Sequence, residues 1–120
     1  MEKELLFAQS HEWVRYINES EAYIGLSSYA IKQLGDIVYV NIDAENVDVN
    51  DLLGDIESVK AVSDFYSPLK GSISQINEDV IDSPQLINED PENTWICKIT
   101  NISDSKKLMK KDEYEKLFEA

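Results

Sequence analysis

The sequence predicts a mainly β domain of the sandwich or barrel class, and three features predict it. Apolar and polar residues alternate in short runs along most of the chain. Polar turns separate those runs at close intervals. Helix-type spacing is confined to one short internal stretch and to the tail. A chain of 120 residues fits a single domain. At 42% hydrophobic it can bury a core without help from disulfides or metal.

Glu12 to Ile17 alternates through Trp13, Arg15 and Ile17, and Ala22 to Leu26 is a second apolar run; with the polar Asn18–Glu21 between them they read as a β-hairpin. Ser27 or Ser28 can cap a short helix that buries Tyr29, Ile31 and Leu34 and ends at a left-handed Gly35. Ile37 to Ile42 is a strand with Ile37, Tyr39 and Asn41 on one face and Val38, Val40 and Ile42 on the other. Val47 to Val49 is a short strand, and Leu52 to Ile56 and Val62 to Ser67 form a second hairpin. Pro68 breaks it, because proline cannot donate to a ladder. Lys70-Gly71 turns and Ser72 to Asn77 alternates again. Residues 78–94 hold Pro84, Pro91 and many acids and amides, so they are expected as loop, with a brief strand at Leu86-Ile87. Trp95 to Thr100 is the last strand. Ser103 or Asp104 then caps a helix ending near Met109, and Asp112 caps another that buries Tyr114, Leu117 and Phe118. Gly35-Asp-Ile37 through Asn41 also echoes Gly71-Ser-Ile73 through Asn77, which would make two related half-sheets joined by the second hairpin.

The net charge is −13, and the tail from Asp104 onward is neutral, so residues 1–103 carry all of it. No basic patch for nucleic acid is visible, and an anionic membrane surface would repel the chain. Partners with basic faces are favoured. Cys97 is the single cysteine and His11 the single histidine, which excludes an intrachain disulfide and cysteine-based or two-histidine metal sites. Cys97 alternates with Trp95 and Ile99 as a packing residue, and His11 is read as structural or solvated. No nucleophile elbow and no phosphate-binding glycine loop occurs. The absence of a signal-like apolar run and of a span-length segment makes a reducing, cytoplasmic setting the simplest expectation.

One lysine stands out. Glu57-Ser58-Val59-Lys60-Ala61 joins the two strands of the second hairpin and puts Lys60 at its tip, solvated and within reach of another enzyme. Ser58 suits the first position of a type I turn and Ala61 the last, while β-branched Val59 opposes the positive φ of a type I′ turn. Lys60 is among only six basic residues of the acidic body.

The run Glu57-Ser-Val-Lys60-Ala61-x-Ser-Asp64 with Ser67-Pro68-x-x-Gly71 resembles the lipoyl-lysine site of the glycine cleavage H-protein family. Ser10-His11-Glu12-Trp13-Val14, Leu34-Gly35-Asp36-Ile37-Val38 and Leu86-Ile87-Asn88-Glu89-Asp90-Pro91 with Trp95 are similar to that family in the same order, over roughly residues 7–118. Against the family pattern, Ser27-Ser28 replaces the usual Thr-Asp, Asp51–Ile56 is less rich in glycine and valine, and the glycine before Trp95 is missing.

The resemblance implies a barrel-sandwich hybrid like that of lipoyl and biotinyl domains. It would be one lipoyl-carrier domain over 1–120, with a core at about 7–102, a short internal helix and a C-terminal helical segment at about 103–119. It implies a non-catalytic carrier with lipoate in amide linkage to Lys60, within the modification motif Glu57, Ser58, Val59 and Ala61. The implied partners are glycine decarboxylase, the aminomethyltransferase, dihydrolipoamide dehydrogenase and the lipoate-attachment enzymes. The carrier takes an aminomethyl group from the first to the second and electrons to the third. Ser10, Glu12 and Asp64 match the cleft into which family members fold the loaded arm. Two other carrier tasks remain open at this point: relaying lipoyl groups to other lipoate-dependent enzymes, and serving as an H-like redox carrier. A biotin carrier would have methionines, not Val59 and Ala61, around the lysine. An acidic interaction domain would show no modification.

Overall fold

The computed structural model describes residues 4–118. Period-2 alternation builds two antiparallel sheets. The larger contains β1 (Leu6–Phe7), β2 (Glu12–Asn18), β3 (Glu21–Leu26), β5 (Asn46–Val47), β8 (Leu69–Ile76), β9 (Cys97–Ser105) and β10 (Met109–Lys110), in the order β10-β1-β2-β3-β9-β8-β5. The smaller contains β4 (Ile37–Ile42), β6 (Leu52–Ser58) and β7 (Val62–Tyr66), in the order β4-β6-β7. Helix α1 (Ser28–Leu34) leads from one sheet to the other. Short helices α2 (Glu78–Asp82) and α3 (Gln85–Glu89) and a 3₁₀ turn at Pro91–Asn93 precede β9, and α4 (Lys111–Phe118) follows β10.

The main core takes Val14, Ile24 and Ile99 from the larger sheet and Val40, Ile56 and Phe65 from the smaller. The molecule is therefore a sandwich and not a closed barrel, and burial of this shared apolar face is what holds the sheets together. Trp13 points the opposite way from Val14, as adjacent strand residues must. It joins Phe7, Met109 and Tyr114 in a second cluster beneath α4. Cys97 is fully buried in the main core, and burial pushes its thiol up to about 12, as befits a packing residue.

Several elements differ from the sequence expectation, each for a reason that lies in pairing. Residues 103–105 are strand, not the start of a helix, because Asp104 and Ser105 pair with Lys70 and Leu69. Residues 109–110 are also strand, paired with β1. The C-terminal helix is thus α4 alone among the described residues; position 119 of the expected segment lies outside them. Asp112 is inside α4 and does not cap it, and Leu117 is exposed, whereas Tyr114 is buried and Phe118 packs on the second cluster. Leu86 and Ile87 are helical, and so are most of residues 78–89. Glu78 and Asp79 sit in the first turn of α2, where acids suit the helix dipole.

Lys70 and Gly71 lie within β8 and do not turn. A Cβ on Gly71 would come within 2.6 Å of the Thr100 carbonyl oxygen, so close strand approach is what this glycine serves. Gly35 instead ends α1 with φ 82°, so the two glycines of the apparent repeat do different work. The hairpin β6–β7 belongs wholly to the smaller sheet. In β4 a register shift between Ile37 and Tyr39 puts Ile37 on the buried side with Val40 and Ile42, and leaves Val38 and Tyr39 exposed.

Candidate functional site

The tip of the β6–β7 hairpin is built around Ser58. Its hydroxyl accepts from the backbone N–H of Lys60 and of Ala61, each at 3.2 Å, and donates to the Ala61 carbonyl. The Ser58 N–H donates to that carbonyl at 2.8 Å. The hydroxyl takes the place of the carbonyl expected of a type I turn. The Val59 N–H donates to the Asp36 carbonyl at 2.9 Å, which ties the tip to the residue after Gly35. Val59, Lys60 and Ala61 are exposed, and the Lys60 amine makes no hydrogen bond or ion pair with a described residue. Glu57 is half-buried, paired across the sheet with Tyr39 and Val62.

Gly35 is the floor beneath this lysine. It has φ 82° and ψ −174°, extended in ψ and not the left-handed helical value expected, and this combination is essentially confined to glycine. A Cβ there would stand 3.3 Å from Lys60 Cε and 3.4 Å from Val59 Cγ2. Gly35→Ala is expected to lower stability by about 1–3 kcal/mol through that backbone strain, read as a lower urea midpoint at unchanged slope. An unchanged midpoint would contradict the positive φ.

Beside the tip lies a cleft of about 310 Å³. Ser10 comes to it from the β1–β2 turn and Glu12 from the start of β2, Asp64 from β7, and Gln33 and Leu34 from α1. The three cleft residues expected from sequence are therefore brought together around one cavity. Leu26, Ile56 and Phe65 give it apolar walls. Lys60 is not part of the lining, but Leu34 and the adjoining Gly35 connect the two.

Glu12 is buried at 3% exposure. Burial raises its carboxyl above the ordinary value, and the Ser10 hydroxyl, donating to Oε1 at 2.7 Å, and the Lys106 charge oppose that rise. Lys106 Nζ donates to Ser10 Oγ at 2.8 Å. Asp64 is exposed and accepts from the Tyr66 hydroxyl at 3.2 Å. The cleft thus has one desolvated and one solvated carboxylate, both suited to a cationic guest.

His11, between Ser10 and Glu12, also lines the cleft. It has φ 80°, and its ring packs on Tyr29, Tyr114 and Phe118. Nδ1 is 2.6 Å from the Tyr114 hydroxyl, which is 2.8 Å from Ser27 Oγ, the N-cap of α1 that accepts from the Ala30 N–H. The cleft turn, α1 and α4 are therefore clamped through one histidine. Burial holds its pKa below 6.5. Its contribution to stability is intact above 6.5 and is lost as pH falls from there through the folded value. Melting temperature should drop over that interval, and less so in His11→Asn, since asparagine tolerates the positive φ. Equal slopes in both proteins would remove His11 as the cause. The raised Glu12 pKa acts with the opposite sign in the acid range.

Sequence reasoning missed Lys106, Tyr66 and the tie to Asp36. Lys106 is 96 positions from the serine it contacts, and no local pattern marks such a pair. Tyr66, two residues from Asp64 on the same strand face, could have been found by strand periodicity.

An exposed hairpin lysine beside an amphiphilic cleft is the arrangement a carrier domain needs. Residues 5–120 match the family model described as glycine cleavage H-protein. The chain is 42% identical to the glycine cleavage system H protein of Lachnoclostridium phytofermentans, over 92% of this chain and 89% of that protein. It is 43% identical to that of Listeria monocytogenes, over 98% and 97%. A crystal structure of a glycine cleavage system H protein from Mycobacterium marinum superposes with a TM-score of 0.89 at 26% identity, covering 100% of both chains. The chain belongs to the glycine cleavage H-protein family, the lipoyl carrier of the glycine cleavage system, and is a non-catalytic component of that system. Among the described residues no helix is long and apolar enough to cross a membrane.

Proposed function

We propose that Lys60 is the lipoyl attachment residue and that Ser10, Glu12 and Asp64 shelter the loaded arm between visits to the enzymes of the system. The observation that carries this reading is the exposed Lys60 amine, paired with no described residue, on a hairpin whose tip is held by Ser58 and Asp36, with its stem against Gly35, the neighbour of the cleft-lining Leu34. The residues fit the group: an arm with a hydrocarbon body and a polar end meets apolar walls at Leu26, Ile56 and Phe65 and polar groups at Ser10, Glu12 and Asp64. When bound, lipoate would supply a disulfide that is reduced as it takes up the aminomethyl group, and a dithiol that gives up those two electrons once the group has been handed on.

The work of the chain itself is presentation and protection. The hairpin holds the attachment amine in solvent, where an attaching enzyme reaches it. Glu57, Ser58, Val59 and Ala61 give that enzyme a rigid turn to read. Glu12 and Asp64 accept charge-assisted hydrogen bonds from the cargo's amine, with Ser10 as a further partner, and the apolar walls exclude water. The partners are glycine decarboxylase, the aminomethyltransferase and dihydrolipoamide dehydrogenase, with a lipoate-attachment enzyme acting beforehand. The acidic body favours basic docking faces on each. Intact-mass measurement of protein from lipoate-supplied cells should show one lipoyl addition, absent from Lys60→Ala. An addition that survives the substitution would reassign the site.

A further inference from the structure

Lys106, 96 positions along the chain from Ser10, meets the cleft at its edge through that serine. It follows β9, and its backbone N–H donates to the Pro68 carbonyl at 2.9 Å, which anchors it near the turn that closes β7. Its ammonium donates to Ser10 Oγ at 2.8 Å, and the Ser10 hydroxyl in turn donates to Glu12 Oε1 at 2.7 Å. The serine stands between the cleft and a second surface hollow lined by Gln9, Asn50, Lys106 and Lys107. Cation, hydroxyl and buried carboxylate therefore form one directed chain. A carboxylate as buried as Glu12 is costly without a compensating charge, and Lys106 supplies that charge across Ser10.

The Lys106 head is a primary ammonium with three donors, the same chemistry as a small amine guest. We propose that Lys106 is the resident counter-cation of the cleft: it satisfies the Ser10–Glu12 pair while the cleft is empty, and a primary ammonium entering the cleft binds in competition with it. The inference rests on the reading of the cleft given above and adds a positioning residue to it. Lys106 keeps the hold on cargo weak enough for delivery. A second cation close to the same carboxylate lowers the affinity for the first, by Coulomb repulsion and by sharing Ser10.

The test uses the complete unmodified chain and methylammonium chloride as the probe, at constant ionic strength and mildly alkaline pH. The Glu12 carboxyl carbon and the Ser10 amide are followed by NMR. Wild type should bind weakly, Lys106→Ala roughly fivefold more tightly because the competing charge is gone, Lys106→Arg like wild type, and Glu12→Gln not at all. The Glu12 carboxyl should also titrate higher in Lys106→Ala than in wild type, and return in Lys106→Arg. Binding lost in Glu12→Gln but unchanged or weakened in Lys106→Ala overturns the role of Lys106 alone, since a merely structural lysine would loosen Ser10 and weaken the site. Binding absent from both wild type and Lys106→Ala, or retained in Glu12→Gln, overturns the reading of the cleft itself.

Discussion

Lys60→Arg is expected to abolish glycine decarboxylation when the variant is combined with the other components of the system. Carbon dioxide release from labelled glycine should fall by at least about 10²-fold, the scale of effective concentration that a tether supplies. Arginine keeps the positive charge and much of the apolar stem over Gly35, but a guanidinium does not form the amide that attachment requires. The fold should be unaffected. The hairpin tip is held by the Ser58 hydroxyl and by the Val59–Asp36 backbone bond, and neither involves the lysine side chain. Melting should stay within about 1 °C of wild type, since exposed substitutions away from special features cost about 0.5 kcal/mol or less. Activity close to that of wild type would take Lys60 out of the carrier role. A lowered melting point would mean that the side chain supports the hairpin, and the kinetic loss would then need another explanation.

Gly54→Ala is expected to do the opposite, removing function by removing the fold. Gly54 sits in β6 opposite Ile42, next to the register shift that begins at Leu52. A Cβ built there would lie 1.8 Å from the Asn41 carbonyl oxygen, 2.8 Å from its carbon and 3.0 Å from Ile42 Cα. All three are backbone atoms of the paired strand, so no side chain can swing away. Either β4 separates from β6 or the register slips, and a slip by one residue would turn Leu53 and Ile56 out of the core. The cost should reach or exceed about 3 kcal/mol, the upper end for overpacking, which is a large fraction of the stability of a small domain. Urea denaturation and near-ultraviolet circular dichroism would report it, and lipoyl addition should fall with the loss of a presented hairpin. A variant melting within a few degrees of wild type would show that β4 and β6 are not so closely paired.

Gly35 and Gly54 show how differently position can constrain the same residue. Gly35 is required by backbone angle and by the passage of the Lys60 stem, and a substitution there strains one residue. Gly54 is required by the approach of another strand, and a substitution there forces a sheet apart. A sequence marks both only as glycine. Helix-end logic found the first, since a glycine after an amphipathic turn is a stop signal. Nothing local distinguishes the second.

Local chemistry was enough for much of the fold and for the lysine. Alternation around Trp13, Ile24, Ile56 and Phe65 placed the principal strands, because side-chain period is a property of the strand itself. Ser27 as a cap, Pro68 as a breaker and Lys60 at a hairpin tip are likewise effects of a residue on its own neighbours, and the order of the motifs indicated the family. What the sequence could not decide was which strands would meet. The pairing of Asp104 and Ser105 with β8 turned an expected helix into strand, because ladder partners 34 and 36 positions away outweighed two local cap residues. The bulge that brought Ile37 inside, the convergence of Ser10, Glu12 and Asp64 on one cavity, and the arrival of Lys106 at Ser10 are all contacts between distant segments. Their energies depend on burial and on distance through space. Only the packed sandwich supplies those, and it is the sandwich that sets an exposed hairpin lysine beside a cleft lined by acids from distant segments.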